Sequence, residues 1–264
     1  MSSIIWTRCA GPSRVAPLAA RAFRMVEAQH RVSTIKLVDT LAEQEVLETL
    51  LEASKPPVPP DRSFQRLHYL LATPFRYPPL RHGSRFGRRR ERGIWYGSEH
   101  ERTVMAEVAY WRFRFLDDTA ADLGTVETEH SLFHVPVRTE LGVDLAVEPF
   151  LAERARIASP TSYRWSQPLG TAMREHGVQA FRAPSARDLE GGNNLGVFDP
   201  AAFARKTPGP RVPQIWKCLA SRRDVVFHRI DLLGRKRYWF DRAITGGREP
   251  LGDRAPVEAP ETGS

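Results

Sequence analysis

Cysteine is almost missing from this 264-residue chain: Cys9 and Cys218 stand alone, too few for a disulfide framework or a zinc knuckle. Lysine is scarce as well. Lys36, Lys55, Lys206, Lys217 and Lys236 are the only five, so 34 of the 39 basic residues are arginine. A net charge of +8 raises nucleic acid as a partner, because phosphates attract such residues through counterion release. A GC-rich coding bias also yields arginine in place of lysine, so the charge by itself selects no function. No run approaches the ~18 uninterrupted apolar residues that a bilayer span requires, and the 41% apolar and 27% charged shares are those of a soluble globular protein. No internal repeat is visible. A Gly-x-Ser-x-Gly elbow is absent, which removes the usual hydrolase nucleophile. The first 24 residues hold Arg8, Arg14, Arg21 and Arg24 and no acid, without the apolar core of a secretory signal. A disordered basic extension over residues 1–22 and a reducing, cytoplasmic location are the expectations.

Punctuation divides the remainder. From Thr34 to Ser54 apolar residues recur at three and four, predicting an amphipathic helix that Pro56-Pro57-Val58-Pro59-Pro60 stops; it dominates an N-terminal helical segment over 23–60. The main domain is expected over 61–243. Leu67 to Ala72 reads as a strand, residues 73–93 as a basic loop, and Ile94-Trp95-Tyr96 as a strand. Ser98 followed by Glu101 reads as a capping box opening a helix with a stripe of Val104, Met105, Val108, Trp111 and Phe115. Leu132 to Val137 reads as a strand and Phe150 to Ile157 as a helix. Pro168 and Gly177 bracket another helix, which feeds a strand at Val178 to Phe181. The Gly191-Gly192-Asn193-Asn194 turn leads into a strand at Leu195 to Phe198. Val225 to Ile230 and Arg237 to Phe240 suggest a closing hairpin. Residues 244–264 have the composition of a disordered tail. Strands interleaved with helices predict an α/β (α+β) domain around a mixed central sheet flanked by helices.

Few residues carry chemistry. At ~100° per residue, Glu107 falls on the shoulder of the apolar stripe, where a carboxylate either meets a partner or faces a cleft, because an unpaired buried charge is costly. Its plainest alternative is a salt bridge to a neighbouring arginine. Arg85, in Gly83-Ser84-Arg85-Phe86-Gly87, has glycines that let backbone approach a ligand and a guanidinium fork suited to phosphate; the alternative is a solvated basic loop. Tyr96 ends a strand beside the helix of Glu107, where many tyrosines merely pack. Ser185, in Pro184-Ser185-Ala186-Arg187, lies at the mouth of a strand, where capping is the default duty of a lone serine. His130 and His134 have a helical metal spacing, but four residues of strand separate them by roughly 13 Å, so no metal site is expected. Gly191 to Gly196 precedes a strand, whereas a dinucleotide fingerprint opens a helix.

In order and approximate spacing, Gly83-Ser84-Arg85-Phe86, Gly93-Ile94-Trp95-Tyr96-Gly97, Ala106-Glu107-Val108 and Pro184-Ser185-Ala186-Arg187 leading through Asn194 to Val197-Phe198-Asp199-Pro200 resemble the RES family across about residues 62–215. These are toxins of bacterial toxin-antitoxin pairs. Gly-Ser-Arg-Phe departs from the family's Gly-Gly-Arg-Trp, and the family's early aromatic-Arg strand falls on Phe23-Arg24 or is lost. The resemblance implies a fold similar to ADP-ribosyltransferases and NAD as substrate, with Glu107 facing the ribose carbon, Arg85 on the pyrophosphate and Tyr96 stacking on nicotinamide or adenine. It places Ser185 at the nicotinamide-ribose end or on the acceptor, with Asn194 supporting that loop. Inorganic phosphate as co-substrate gives phosphorolysis, water gives a glycohydrolase, and a protein side chain gives ADP-ribosylation. It also implies a helix-turn-helix antitoxin of the Xre type, through which alone nucleic acid would be met, and allows a homodimer. A non-enzymatic nucleic-acid binder using Arg81 to Arg92, Phe86 and Trp95 is the reading from a different class.

Overall fold

The computed structural model describes residues 4–28, 38–57, 59–77, 82–230 and 236–242, and every structural statement concerns these. In chain order the elements are α1 (Ile4–Arg8), β1 (Ala16–Glu27), α2 (Leu41–Ser54), α3 (Tyr69–Arg76), β2 (Trp95–Ser98), α4 (Glu101–Asp118), β3 (Val126–Asp144), α5 (Arg154–Ile157), α6 (Ser166–Glu175), β4 (Ala180–Pro184), β5 (Asn193–Val197), β6 (Gly209–Ala220), β7 (Asp224–Arg229) and β8 (Arg237–Asp241). The strands form one mixed sheet in the order β1-β2-β5-β4-β3-β6-β7-β8, with β3 and β4 parallel and the other pairs antiparallel. Because β1 also pairs along β3, from Ala16 opposite Gly142 to Glu27 opposite His130, five strands close into a ring from which β6, β7 and β8 extend. Helices pack on this sheet, as the alternation of elements predicts.

Three apolar clusters hold the ring. Trp6, Phe150, Leu169, Met173 and Phe181 fill the first, under α1 and α6. Leu71, Phe75, Trp95, Val135 and Phe203 fill the second, under α3. Met105, Ala109, Phe113, Trp216 and Phe227 fill the third, between α4 and the extension. No helix among the described residues is long and apolar enough to cross a membrane.

Several expectations are corrected. Residues 4–22 are not a disordered extension: Ile5 and Trp6 are each 1% exposed, Trp6 stacks on Phe150, and Arg8 pairs with Glu153 at 2.6 Å. The acid-free run finds its carboxylate more than a hundred residues away, which composition cannot reveal. Phe23 is strand, not part of a helical segment. The predicted 34–54 helix is helical from Leu41, residues 34–37 lying outside the described set, and Leu41, Val46 and Leu50 on it are exposed. Leu67 to Ala72 is not a strand; His68 accepts a hydrogen bond from the Leu70 backbone N–H and starts α3. Ser98 is no cap, since its hydroxyl donates to Asn194. The α4 stripe is rotated from the predicted one: Ala106, Ala109 and Phe113 are buried, while Trp111 and Phe115 are exposed. Strand β6 has no counterpart among the predicted elements. The expected tail at 244–264 lies outside the described residues.

Candidate active site

Glu107 sits two turns into α4, on the flank that faces the ends of β4 and β5. Its Oε1 accepts from Ser185 Oγ at 2.7 Å and from Asn194 Nδ2 at 2.6 Å. Asn194 is oriented in turn by Ser98, whose hydroxyl donates to Asn194 Oδ1 at 2.7 Å. With Oδ1 fixed as an acceptor, the amide can point only its N–H at the carboxylate. Ser185 is only 3% exposed. Its oxygen accepts from the backbone N–H groups of Arg187 and Asp188, each at 3.0 Å, and its single proton goes to Glu107. The hydroxyl is thereby saturated, and it polarises the carboxylate from below. No hydrogen bond occupies Glu107 Oε2 among the described residues, so this oxygen is the one free to act. The alternative reading, a salt bridge from Glu107 to an arginine, is not formed among the described residues.

The loop under Ser185 is pinned hard. Asp188 accepts from Thr103 Oγ1 at 2.6 Å and pairs with Arg102, tying it to the first turn of α4. Gly192, whose carbonyl accepts from the Ser185 N–H at 2.8 Å, has no room for a side chain: a Cβ there would meet Thr103 Oγ1 at 2.2 Å and Asp188 Oδ2 at 2.3 Å.

Glu107 opens onto a cavity of about 580 Å³ that Arg24, Arg85, Tyr96, Asn194 and Arg187 also line, within the ~300–1,000 Å³ usual for ligand clefts. Four of the five residues expected in the site therefore meet at one surface, and Ser185 lies just beneath it. Tyr96 does more than present a ring. Its hydroxyl accepts from the Phe86 N–H at 3.2 Å and bonds Ser84 Oγ at 3.0 Å, so it holds the residues on either side of Arg85. Burial pushes that hydroxyl up to about 12, and it stays protonated. Gly83 turns the chain into this loop with φ +74°, a left-handed conformation that glycine tolerates without strain. Arg85 Nη1 donates to the Ser159 carbonyl at 2.7 Å, and its guanidinium lies over the Tyr163 ring at 5.0 Å.

Two cations named in the sequence motifs were given no role there. Arg24, on β1, donates to the Tyr96 carbonyl at 2.5 Å and lies over the Trp95 ring at 5.3 Å. Its Nε is buried with no partner, and burial lowers the guanidinium to about 10. Arg187, 5% exposed, donates from Nη2 to the Pro160 carbonyl at 2.8 Å and stacks 3.4 Å from the Tyr110 ring centroid. The available signal was one of two arginines in a mostly apolar strand and another two residues beyond Ser185. Neither stands out among 34 arginines.

A model of the RES domain matches residues 59–217, more than half of the sequence. The chain belongs to the RES family. The matched span of this RES protein contains Arg85, Tyr96, Glu107, Ser185 and Asn194, whereas Arg24 lies before it. No curated protein sequence matches it. Among solved structures, the M. tuberculosis MbcT-MbcA toxin-antitoxin complex is similar at 15% identity and a TM-score of 0.43, the match covering 83% of this chain and 92% of that one.

Proposed function

We propose that this RES protein consumes NAD by breaking the bond between nicotinamide and ribose. The observation that carries the reading is Glu107: a carboxylate clamped through one oxygen by Ser185 and Asn194, with the other oxygen free beside a dinucleotide-sized cavity walled by guanidiniums. Loss of nicotinamide leaves positive charge on the ribose carbon and ring oxygen, as in glycoside cleavage, and a fixed carboxylate facing that carbon lowers the barrier. Clamping one oxygen removes the reorganisation that a mobile side chain would need. Nicotinamide departs as a neutral base taking the bonding pair, so the departure requires no general acid. Tyr96 offers its ring to a flat base, and the cavity's arginines offer donors to the pyrophosphate. Ser185 is a positioning residue that acts through Glu107, and Asn194 acts with it.

The test is Glu107→Gln, which keeps shape and removes charge. Purified wild-type protein mixed with NAD is expected to release nicotinamide, and the variant to be slower by about 10²-fold or more; undiminished NAD loss in the variant defeats the assignment. Mass identification of the second product, with and without phosphate, separates phosphorolysis, which we favour, from hydrolysis and from ADP-ribosylation of protein. Membership of the RES family supports the further reading that the chain is a toxin, held inactive by a helix-turn-helix antitoxin encoded next to it. Coexpression with the adjacent gene is then expected to restore cellular NAD.

A further inference from the structure

Among the described residues the strand order has one open end. β1 returns to pair with β3, whereas β8 has a neighbour on one side only, β7. In an antiparallel ladder, alternate residues turn their backbone N–H and C=O toward the same partner. The Arg229 N–H donates to the Lys236 carbonyl at 3.0 Å and the Arg242 N–H to the Arg223 carbonyl at 2.6 Å, so Lys236, Tyr238, Phe240 and Arg242 face β7. Arg237, Trp239 and Asp241 therefore turn their backbone groups outward. Natural sheets guard such edges with proline, lysine, a bulge or a charge in mid-strand. β8 carries none of these, its run being Arg-Tyr-Trp-Phe-Asp, and Lys236 just before it is drawn back to Glu101 at 2.8 Å.

This run is complementary to itself. Laid antiparallel about a two-fold axis through Trp239, it sets Arg237 opposite Asp241 of a second copy, Tyr238 opposite Phe240, and Trp239 opposite its own equivalent. Every outward residue then meets another, giving about six backbone hydrogen bonds, and opposite charges coincide at both ends. Other two-fold registers pair fewer outward residues of the strand and take those charges apart. Tyr238 packs on Trp216 and Phe240 on Phe227 in the third apolar cluster, and the pairing continues that layer across the axis. Arg237 forms no ion pair with a carboxylate among the described residues. Across the ladder it faces His228, which burial, Arg237 and Lys217 together hold below its ordinary value. A carboxylate from a second copy offsets that crowding.

We propose that β8 is a self-association edge, where two copies of this chain join antiparallel about Trp239 and continue one sheet through both. No residue lining the cavity lies on β6, β7 or β8, so both cavities stay open and the association is independent of the activity proposed above. Five residues of strand bury little surface, so the dimer is weak, with a dissociation constant on the order of 10 µM.

Sedimentation velocity of the full chain, over dilutions from well below to well above that concentration, is expected to show the mass rise from one chain to two. Arg237→Asp and Asp241→Arg are each expected to weaken the dimer about tenfold or more, because both symmetric pairs turn from attraction to repulsion. The two changes combined in one chain restore opposite charges across the axis, and the dissociation constant is expected to return to within about threefold of wild type. Within a chain these positions face His228 and Asp224, so neither reversal sets like charges opposite each other across the β7–β8 ladder. Trp239→Pro removes an outward N–H and leaves the ladder to β7 its donors; it is expected to stay monomeric throughout. A wild type that never exceeds one chain overturns the proposal. A dimer indifferent to the reversals also overturns it, as does one that the single changes weaken and the combined change does not restore. Should Trp239→Pro fail to fold by circular dichroism, the charge exchange decides alone.

Discussion

Ser185 illustrates how a hidden hydroxyl governs a half-buried carboxylate. Replacing it by alanine strips Glu107 of a donor and leaves the N–H groups of Arg187 and Asp188 without their acceptor. Unmade hydrogen bonds of buried groups cost roughly 1–3 kcal/mol. Ser185→Ala is therefore expected to lower both urea stability and kcat, the latter by about tenfold or more, with KM for NAD little changed because the side chain lies below the cavity surface; a rise in KM alone would place the hydroxyl on the substrate instead. Tyr96→Phe separates ring from hydroxyl in the same way. It keeps the flat surface and releases Phe86 and Ser84, so Arg85 should wander and the KM for NAD should rise about threefold or more although the ring remains. At this scale the local setting drew notice to Glu107 and Arg85, while Tyr96, Ser185 and Asn194 were singled out only by the resemblance to the RES family. Arg24 and Arg187 could not be, because what distinguishes them is a missing partner, which exists only in three dimensions.

At the scale of elements, those marked off by local punctuation were readable, whereas the interior strand β6 and the buried face of α4 were not. The closing pair, β7 and β8, was readable from short β-rich runs around a turn, as was the bracketed α6. α4 was found but turned, because Trp111 and Phe115 suggested a core face while the sheet buries Ala106 and Ala109, small residues that permit close approach. The first residues give a sharper test. Trp6, wedged against Phe150 and His176, anchors α1, and Trp6→Ala is expected to cost about 3–5 kcal/mol in urea unfolding; an unchanged midpoint would return residues 4–8 to the status of an appendage. On β3, His130 is buried with Thr128 Oγ1 at 3.0 Å and Arg112 Nη2 at 3.2 Å on its Nε2. Burial and Arg112 lower it to about 4, so the unfolded chain binds a proton between about pH 6.5 and 4 that the folded chain refuses. Stability should fall as pH drops through that window, by about 3 kcal/mol in full, and His130→Leu should flatten that part of the profile measured by thermal melting.

For the whole molecule, part of the arginine content has an internal role. Arg8, Arg92, Arg102, Arg182 and Arg242 each pair with a carboxylate distant in sequence, and Arg24, Arg85 and Arg187 turn into the cavity. These eight of the 34 arginines are thus engaged in structure or in one concave site. NAD turnover is expected to change only modestly between low and moderate salt, whereas binding to a generic duplex should be weak and collapse steeply over the same range; tight, salt-sensitive duplex binding without NAD loss would reverse the assignment. The general architecture was legible because alternation of element types limits the layers available. Strand order was not, because pairing between β1 and β3 joins segments about a hundred residues apart and leaves no local trace.

That long-range pairing sets a schedule. Arg24 stands near the beginning of the chain, Glu107 in the middle, and Ser185, Arg187 and Asn194 well into its second half, so a ribosome must deliver some two hundred residues before the cavity's walls can meet. Strands that wait this long for their partners form late in folding. A truncated or stalled product of this gene carries the early motifs without the assembled cavity, and the activity proposed above would begin only once synthesis is well advanced.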